Sequence, residues 1–154
     1  MGLHSHGVML TDMHVGRLRQ GSVSQAENMT IVSERQGAVV LDAGHILGHV
    51  SDRQAMNIAI AKARDFAAGV VTVRHGFHFG AAGRYVRQAA EANCIGITMC
   101  NTRPLMPASG GAERVVGNNP IAIAIPTASE IPIVLDMATS EAAMGKIRMA
   151  EKAG

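Results

Sequence analysis

The chain has 154 residues and a formal net charge of +2, and aromatic residues make up 3% of it. This length fits one domain with its own core, while the weak charge and scarce aromatic residues argue against a nucleic-acid-binding surface. No apolar run approaches the roughly 18 residues that a membrane helix needs, and no signal peptide is visible, so we expect a cytoplasmic protein without a membrane partner.

The predicted elements begin with a buried strand in "GAVVLDAGH". The next segment, "SDRQAMNIAIAKARDFAAG", is typical of a helix that Ser51 caps and Gly69 ends. A β-branched strand follows at Val70–Arg74. The later segments predict a helix, three strands and a last helix capped by Thr139 or Ser140, in this order: "GAAGRYVRQAAEAN", "CIGITMC", "IAIAIP", "IPIVLDM" and "TSEAAMGKIRMAEKAG".

Strands and helices alternate through the middle of the chain, which favours an α/β fold. Right-handed crossovers would pair the first three strands in parallel. We expect residues 1–36 to form a helical N-terminal segment, and residues 37–154 to form the α/β region with the cofactor-binding and catalytic groups. Residues 101–120 are rich in Gly, Pro and Asn, and a loop of this length is often functional.

Histidines occur in close pairs, in "HSH", "HILGH" and "HGFH". Zinc requires three or four ligands with supporting groups, and the chain has neither a Cys-x-x-Cys nor a His-Glu-x-x-His motif. His45 and His49 have helical spacing, but Gly44 and Gly48 argue against a helix at this point. We therefore predict that the chain has no metal site.

The turn "VRHGFHFGAAGRY" follows the β-branched strand and precedes a predicted helix. Its glycine spacing fits neither the Rossmann nor the Walker phosphate loop. His78 would lie beside helix N–H groups, which favour a neutral imidazole able to accept a proton, and His75 would lie on the outside of the turn. Two interpretations of His78 stay open: an acid–base group, or a side chain that only packs the turn.

Two other polar positions, Asp136 and Ser5, also allow a structural and a functional interpretation. Asp136 ends a predicted strand, where its carboxylate can cap a turn or contact a polar ligand such as a ribose hydroxyl. Ser5 is next to His6, but consecutive residues are not the usual arrangement of a nucleophile and its base. The pair therefore does not predict a hydrolase.

Five segments in this order resemble one family: "SHG", "HFGAAG", "GGAE", "GNNP" and "DMATS" with a later "GK". From Gly2 to Lys146 the chain is similar to the malate/L-lactate dehydrogenases that are unrelated to Rossmann lactate dehydrogenases. This family includes L-sulfolactate, ureidoglycolate and diketogulonate enzymes. The resemblance implies an α/β fold of the malate/L-sulfolactate dehydrogenase type, a mixed sheet with helices on its faces, incomplete at both ends.

The resemblance also implies an activity and roles for single residues. The activity would be an NAD(P)-dependent interconversion of a small 2-hydroxy acid and a 2-oxo acid, by an enzyme that is usually a homodimer. His78 corresponds to the proton acceptor of the ureidoglycolate branch, and His6 to the proton donor of the reductase branches, with Ser5 as its relay partner. Which histidine transfers the proton stays open. Contacts to NAD or NADP are implied for four residues: Thr102, Asp136, Met137 and Ala138.

The chain departs from the family pattern at Leu10, where the family usually has an arginine that binds the substrate carboxylate. Arg17 or Arg19 would have to replace this arginine. Compared with the family, a first helical segment and a C-terminal part are also expected to be missing. We therefore expect weak cofactor binding and slow turnover. The alternative is a catalytically inactive remnant that acts as a binding or oligomerising module.

Overall fold

The chain forms two three-stranded sheets, a short hairpin and four helices within the residues that a computed structural model describes, 6–142 and 144–153. The helices are α1 (Thr11–Arg19), α2 (Gly48–Phe66), α3 (Gly83–Glu91) and α4 (Met144–Ala153). The strands are β1 (Thr30–Arg35), β2 (Ala38–Asp42), β3 (Val70–Arg74), β4 (Gly96–Met99), β5 (Met106–Pro107), β6 (Arg114–Val116), β7 (Ile121–Ile125) and β8 (Ile133–Met137).

The first sheet has the strand order β1-β2-β3. β1 is antiparallel to β2, whereas β2 and β3 run parallel, with Ala38 opposite Val70. α2 connects the two parallel strands and packs against β3. Val39 and Leu41 of β2 are buried in a cluster with Ala55 of α2. The predicted strand–helix–strand unit is therefore confirmed.

The second sheet, β4-β7-β8, is antiparallel throughout. The prediction that "CIGITMC" continues the parallel sheet is wrong, because β4 pairs with β7 instead. The chain returns through residues 101–120 and brings β7 beside β4 in the opposite direction. α3 covers one face of this sheet, and four residues are buried there: Tyr85, Val86, Ala122 and Ala124.

The ends of two helices differ from the prediction. α2 begins at Gly48, and Ser51 is not its cap; the fully buried Ser51 hydroxyl donates to the Asp52 carboxylate and is within hydrogen-bonding distance of the Gly48 carbonyl. α2 ends before Gly69, because Ala67 already adopts a left-handed conformation with φ of 66°.

The last helix begins later than predicted. α4 starts at Met144, so neither Thr139 nor Ser140 caps it. Thr139 lies in the preceding loop, where its hydroxyl and its N–H both donate to the carbonyl of Asn118. These bonds join the loop after β8 to the "GNNP" segment.

The N-terminal region is not helical throughout, contrary to the prediction for residues 1–36. A 3-10 turn at Val8–Leu10 leads into α1, and the exposed strand β1 then forms the edge of the first sheet. All six residues of Thr30–Arg35 are exposed, and the charged Glu34 and Arg35 suit an edge strand. Among the described residues, no helix combines the length and the apolar character that a membrane crossing requires.

Candidate active site

Four histidines form a cluster at the N-terminal ends of α2 and α3. His14 comes from α1, His49 from α2 and His78 from the turn after β3, while His6 precedes the 3-10 turn at Val8–Leu10. The centre of the His14 ring lies 5.0 Å from the centre of the His49 ring and 5.6 Å from the centre of the His78 ring. His6 and His78 stack with their centres 6.3 Å apart. The structure therefore brings together the two histidines for which the sequence suggested proton transfer.

Two glycines make this close arrangement possible. A side chain at Gly48 would overlap the backbone of Phe77 and His78, so α2 can begin this near the turn only with glycine. Gly80 has a φ of 80°, and a β-carbon there would lie 2.8 Å from His49 Nε2. Glycine at these two positions thus allows the histidine rings to approach one another.

His78 is held as a neutral imidazole. Burial, followed by the charges of His14, His6 and His49, lowers its pKa from 6.5 to about 4. The N–H of Gly80 donates to His78 Nδ1 over 3.3 Å. Because Nδ1 accepts this bond, the neutral ring carries its proton on Nε2.

His14 and His49 belong to the cluster although the sequence did not single them out. Burial lowers the pKa of both rings, and the charges of His14 and Arg84 lower that of His49 further. His14 Nδ1 is buried and has no hydrogen-bond partner within the described residues. The expectation that Gly48 argues against a helix at His49 is wrong, because Gly48 is the first residue of α2 and His49 lies in its first turn.

His75 lies on the outside of the turn, as the sequence suggested, and contacts a different group. Its Nδ1 is 3.0 Å from the Asp42 carboxylate, which also accepts hydrogen bonds from the Gly44 N–H and from Arg74 Nε. The Gly44 bond contributes most to a low Asp42 pKa of about 2, followed by His75. The His75 ring also stacks on His45.

The residues predicted to contact a cofactor lie at one end of the second sheet, Asp136 and Met137 at the end of β8 and Thr102 and Ala138 in the adjoining loops. The Thr102 hydroxyl donates to the Asn118 side chain over 2.8 Å, and its N–H donates to the side chain of Asn119. Asp136 Oδ2 accepts a bond of 2.7 Å from the N–H of Gly83, the first residue of α3. The carboxylate therefore stabilises the positive end of this helix.

The other predicted positions follow from the same arrangement. Met137 is the exposed last residue of β8, and Ala138 is half-buried beside it. Ser5 lies outside the described residues. Leu10 is half-buried in the 3-10 turn, and the two arginines proposed to replace the family arginine, Arg17 and Arg19, are exposed on α1. Within residues 6–142 and 144–153, no group of three or more His, Cys, Asp or Glu side chains could hold a metal ion.

Comparison with known proteins identifies the family. The sequence model of the malate/L-lactate dehydrogenases matches residues 1–154. The chain belongs to the malate/L-lactate dehydrogenase family. The chain is 40% identical over 153 residues to a malate dehydrogenase of Pyrococcus abyssi, a match that covers 99% of this chain and 42% of the relative.

Two further relatives extend the comparison. An NAD(+) ureidoglycolate dehydrogenase of Escherichia coli O157:H7 is 33% identical over 95% of this chain and 42% of its own length. The solved sulfolactate dehydrogenase of Methanocaldococcus jannaschii superposes with a TM-score of 0.91 at 39% identity, covering 99% of this chain and 44% of that one. The predicted fold of the malate/L-sulfolactate dehydrogenase type is thereby confirmed. The chain spans less than half the length of these relatives.

Proposed function

We propose that this chain is the part of an NAD(P)-dependent oxidoreductase that manages the proton during interconversion of a 2-hydroxy acid and a 2-oxo acid. The observation that carries the proposal is the neutral, half-buried His78 stacked against His6. Family membership supports the reaction class. The substrate would be a small acid, and the cytoplasmic location and homodimer expected from the sequence belong to the same proposal.

The residues at the end of the second sheet fit a nicotinamide group. Thr102 and Asn118 present hydroxyl and amide groups that suit a carboxamide, and the exposed Met137 offers an apolar surface for a ring. When bound, the cofactor supplies or takes the hydride. The NAD(+) in the name of the ureidoglycolate relative supports this cofactor class, either NAD or NADP.

The tautomer of His78 supports a division of labour between the two histidines. With its proton on Nε2, neutral His78 can donate a hydrogen bond to the substrate oxygen and polarise a carbonyl during reduction. To accept a proton at Nε2 it would have to carry one on Nδ1, opposite the donating N–H of Gly80. His6 is therefore the residue we propose to give or take the proton, with Ser5 as its partner.

A comparison of His78→Ala with His75→Ala tests this proposal. Because slow turnover is expected, NADH oxidation by oxaloacetate is followed as a single turnover with the chain in excess. We expect His78→Ala to lower the rate by about 100-fold or more, the usual range for loss of a hydrogen-bond donor to the developing charge on the substrate oxygen. His75→Ala should leave it unchanged, because His75 pairs with Asp42 outside the cluster. An unchanged rate in His78→Ala would contradict the proposed role.

The second candidate function is a binding or oligomerising module without catalysis. Leu10 favours it, because a leucine cannot pair with a substrate carboxylate as the usual family arginine does. This alternative predicts no NADH oxidation by a folded chain with any 2-oxo acid, including oxaloacetate. Detectable single-turnover oxidation that depends on His78 would exclude it.

A further inference from the structure

A groove of about 520 Å³ lies between α2 and α3. Three arginines line it: Arg53 from α2, and Arg84 and Arg87 from α3. Glu91 is the one acidic residue in this lining. Three guanidinium charges against one carboxylate make the groove strongly positive, although the net charge of the whole chain is only +2.

The three groove arginines have no carboxylate partner within the described part of the chain. The ion pairs there join Lys62 with Glu34, and join Asp42 with Arg74 and His75. Glu91 follows Arg87 by four residues, a spacing that often pairs charges on a helix, yet these two side chains form no ion pair. The guanidinium donors are therefore available to a ligand.

The position of these arginines is unfavourable for stability. α2 begins at Gly48 and α3 at Gly83, so all three arginines lie in the first two turns of a helix, and neither helix has an acidic residue in its first turn. The N-terminal end of a helix is positive and disfavours cations. Two carboxylates lie near these helix ends, Asp52 on α2 and Asp136 at the N–H of Gly83, but among the described residues neither forms an ion pair with the three arginines. Residues that oppose local stability in this way indicate a binding function.

A pair of amides fixes the distance between the two helices. The side-chain amide of Gln88 on α3 donates to the backbone carbonyl of Arg53 over 3.2 Å and to the side chain of Asn57 on α2. These bonds cross the groove, so the arginines on its two sides are held at a set separation. Such preorganisation reduces the entropy lost when a ligand binds.

We propose that this groove is an anion site that binds a phosphate-bearing ligand with at least two phosphoryl groups. The planar guanidinium fork of arginine matches phosphate oxygens, and two such forks on α3 with a third on α2 suit a diphosphate better than a single small anion. The proposal does not rest on the dehydrogenase activity, because no residue of the histidine cluster lines the groove.

Binding of inorganic pyrophosphate to the wild-type chain, measured by calorimetry at constant ionic strength, tests the site. We expect saturable binding that falls at least about tenfold in the double variant Arg84→Gln/Arg87→Gln. Arg64→Gln is the matched control, because Arg64 is exposed near the C-terminal end of α2 and does not line the groove. No binding to the wild type, or an equal loss in the control, would overturn the proposal.

Two further measurements locate the anion and separate its sources. The charge of Arg84 contributes to the low pKa of His49, so pyrophosphate on Arg84 should raise the pKa of His49 in an NMR titration. An unchanged His49 pKa at saturation would place the anion elsewhere and overturn the site. Adenosine diphosphate binding more tightly than pyrophosphate would identify a nucleotide as the source of the phosphates, and equal affinity would identify an inorganic polyphosphate.

Discussion

The two sheets carry similarly apolar strands but cover them differently. In the first sheet, Leu41 of the central strand β2 is 1% exposed beneath α2. In the second sheet, Ala122 and Ala124 are fully buried beneath α3, but the opposite face is open. On this open face the cross-strand neighbours Ile97, Ile123 and Leu135 line up, and Leu135 is 47% exposed.

The difference shows that the apolar pattern of a strand indicates how many of its faces are suited to burial, but not which faces the described residues cover. The run "IAIAI" is apolar at every position, as in strands that are buried on both sides. Within the described residues only the face against α3 is covered. The open face, the outer face of β4, β7 and β8, exposes six large apolar side chains: Ile97, Met99, Ile125, Ile133, Leu135 and Met137.

The largest expected effect comes from the same truncation in each sheet. Leu41→Ala should lower the free energy of unfolding by about 2–5 kcal/mol, because it leaves a cavity in the buried cluster. Leu135→Ala should change it by less than about 1 kcal/mol, because the side chain is already half in water. Urea denaturation of both variants measures the contrast. Equal losses would mean that the open face is covered in solution.

A charge on the open face tests whether this face associates. Exposed apolar patches of this kind promote contacts between molecules, so we expect the chain to self-associate. Leu135→Lys should weaken that association about tenfold or more, measured by sedimentation velocity over a range of concentrations. The matched control is Val32→Lys on the exposed strand β1 of the first sheet. Equal weakening by both variants would show a general effect of charge rather than an effect of the open face.

A smaller effect is the dependence of the free energy of unfolding on pH, and it concerns His78 in the turn before α3, the helix that covers the second sheet. The pKa of His78 falls from 6.5 to about 4 on folding, so the unfolded chain binds more protons between these values. The stabilising contribution of neutral His78 is complete above pH 6.5 and declines as the pH falls towards 4. Partial exposure to solvent keeps this loss to about 1 kcal/mol.

The interpretation of this pH effect must also account for Asp52, because its titration changes the free energy of unfolding in the opposite direction. Burial raises the pKa of Asp52 to about 6, so its protonation stabilises the fold as the pH falls through this range. In His78→Asn the free energy of unfolding should therefore decrease less between pH 7 and pH 5 than in the wild type. Identical pH profiles from urea denaturation at the two pH values would show that His78 does not titrate as the structure indicates.

Local sequence signals predicted the elements better than their ends and partners. Val70–Arg74 was predicted with its observed ends, because a β-branched run followed by glycine and histidine is a local signal. The start of α2 was missed, because Gly48 is needed for contact with Phe77 and His78, which no local pattern reveals. The pairing of β4 with β7 depends in the same way on how the intervening loop returns.

The candidate site was predicted only in part. The ordered motifs of the family directed attention to His6 and His78, whose rings stack in the structure. His14 and His49 could not be found in this way, since they approach His78 only when α1 and α2 are packed beside the turn. A helix signal that tolerated Gly48 would have placed His49 at the start of α2.

The bond between Asp136 and Gly83 links the open face to the histidine turn. Asp136 and Met137 are consecutive residues of β8, so their side chains point to opposite faces of the sheet. The Asp136 side chain anchors the first residue of α3, five residues beyond His78, while Met137 lies on the open face. A contact that tilts or twists β8 from outside therefore displaces the start of α3 as well, and the geometry of the imidazole cluster depends on what presses against the far side of the sheet.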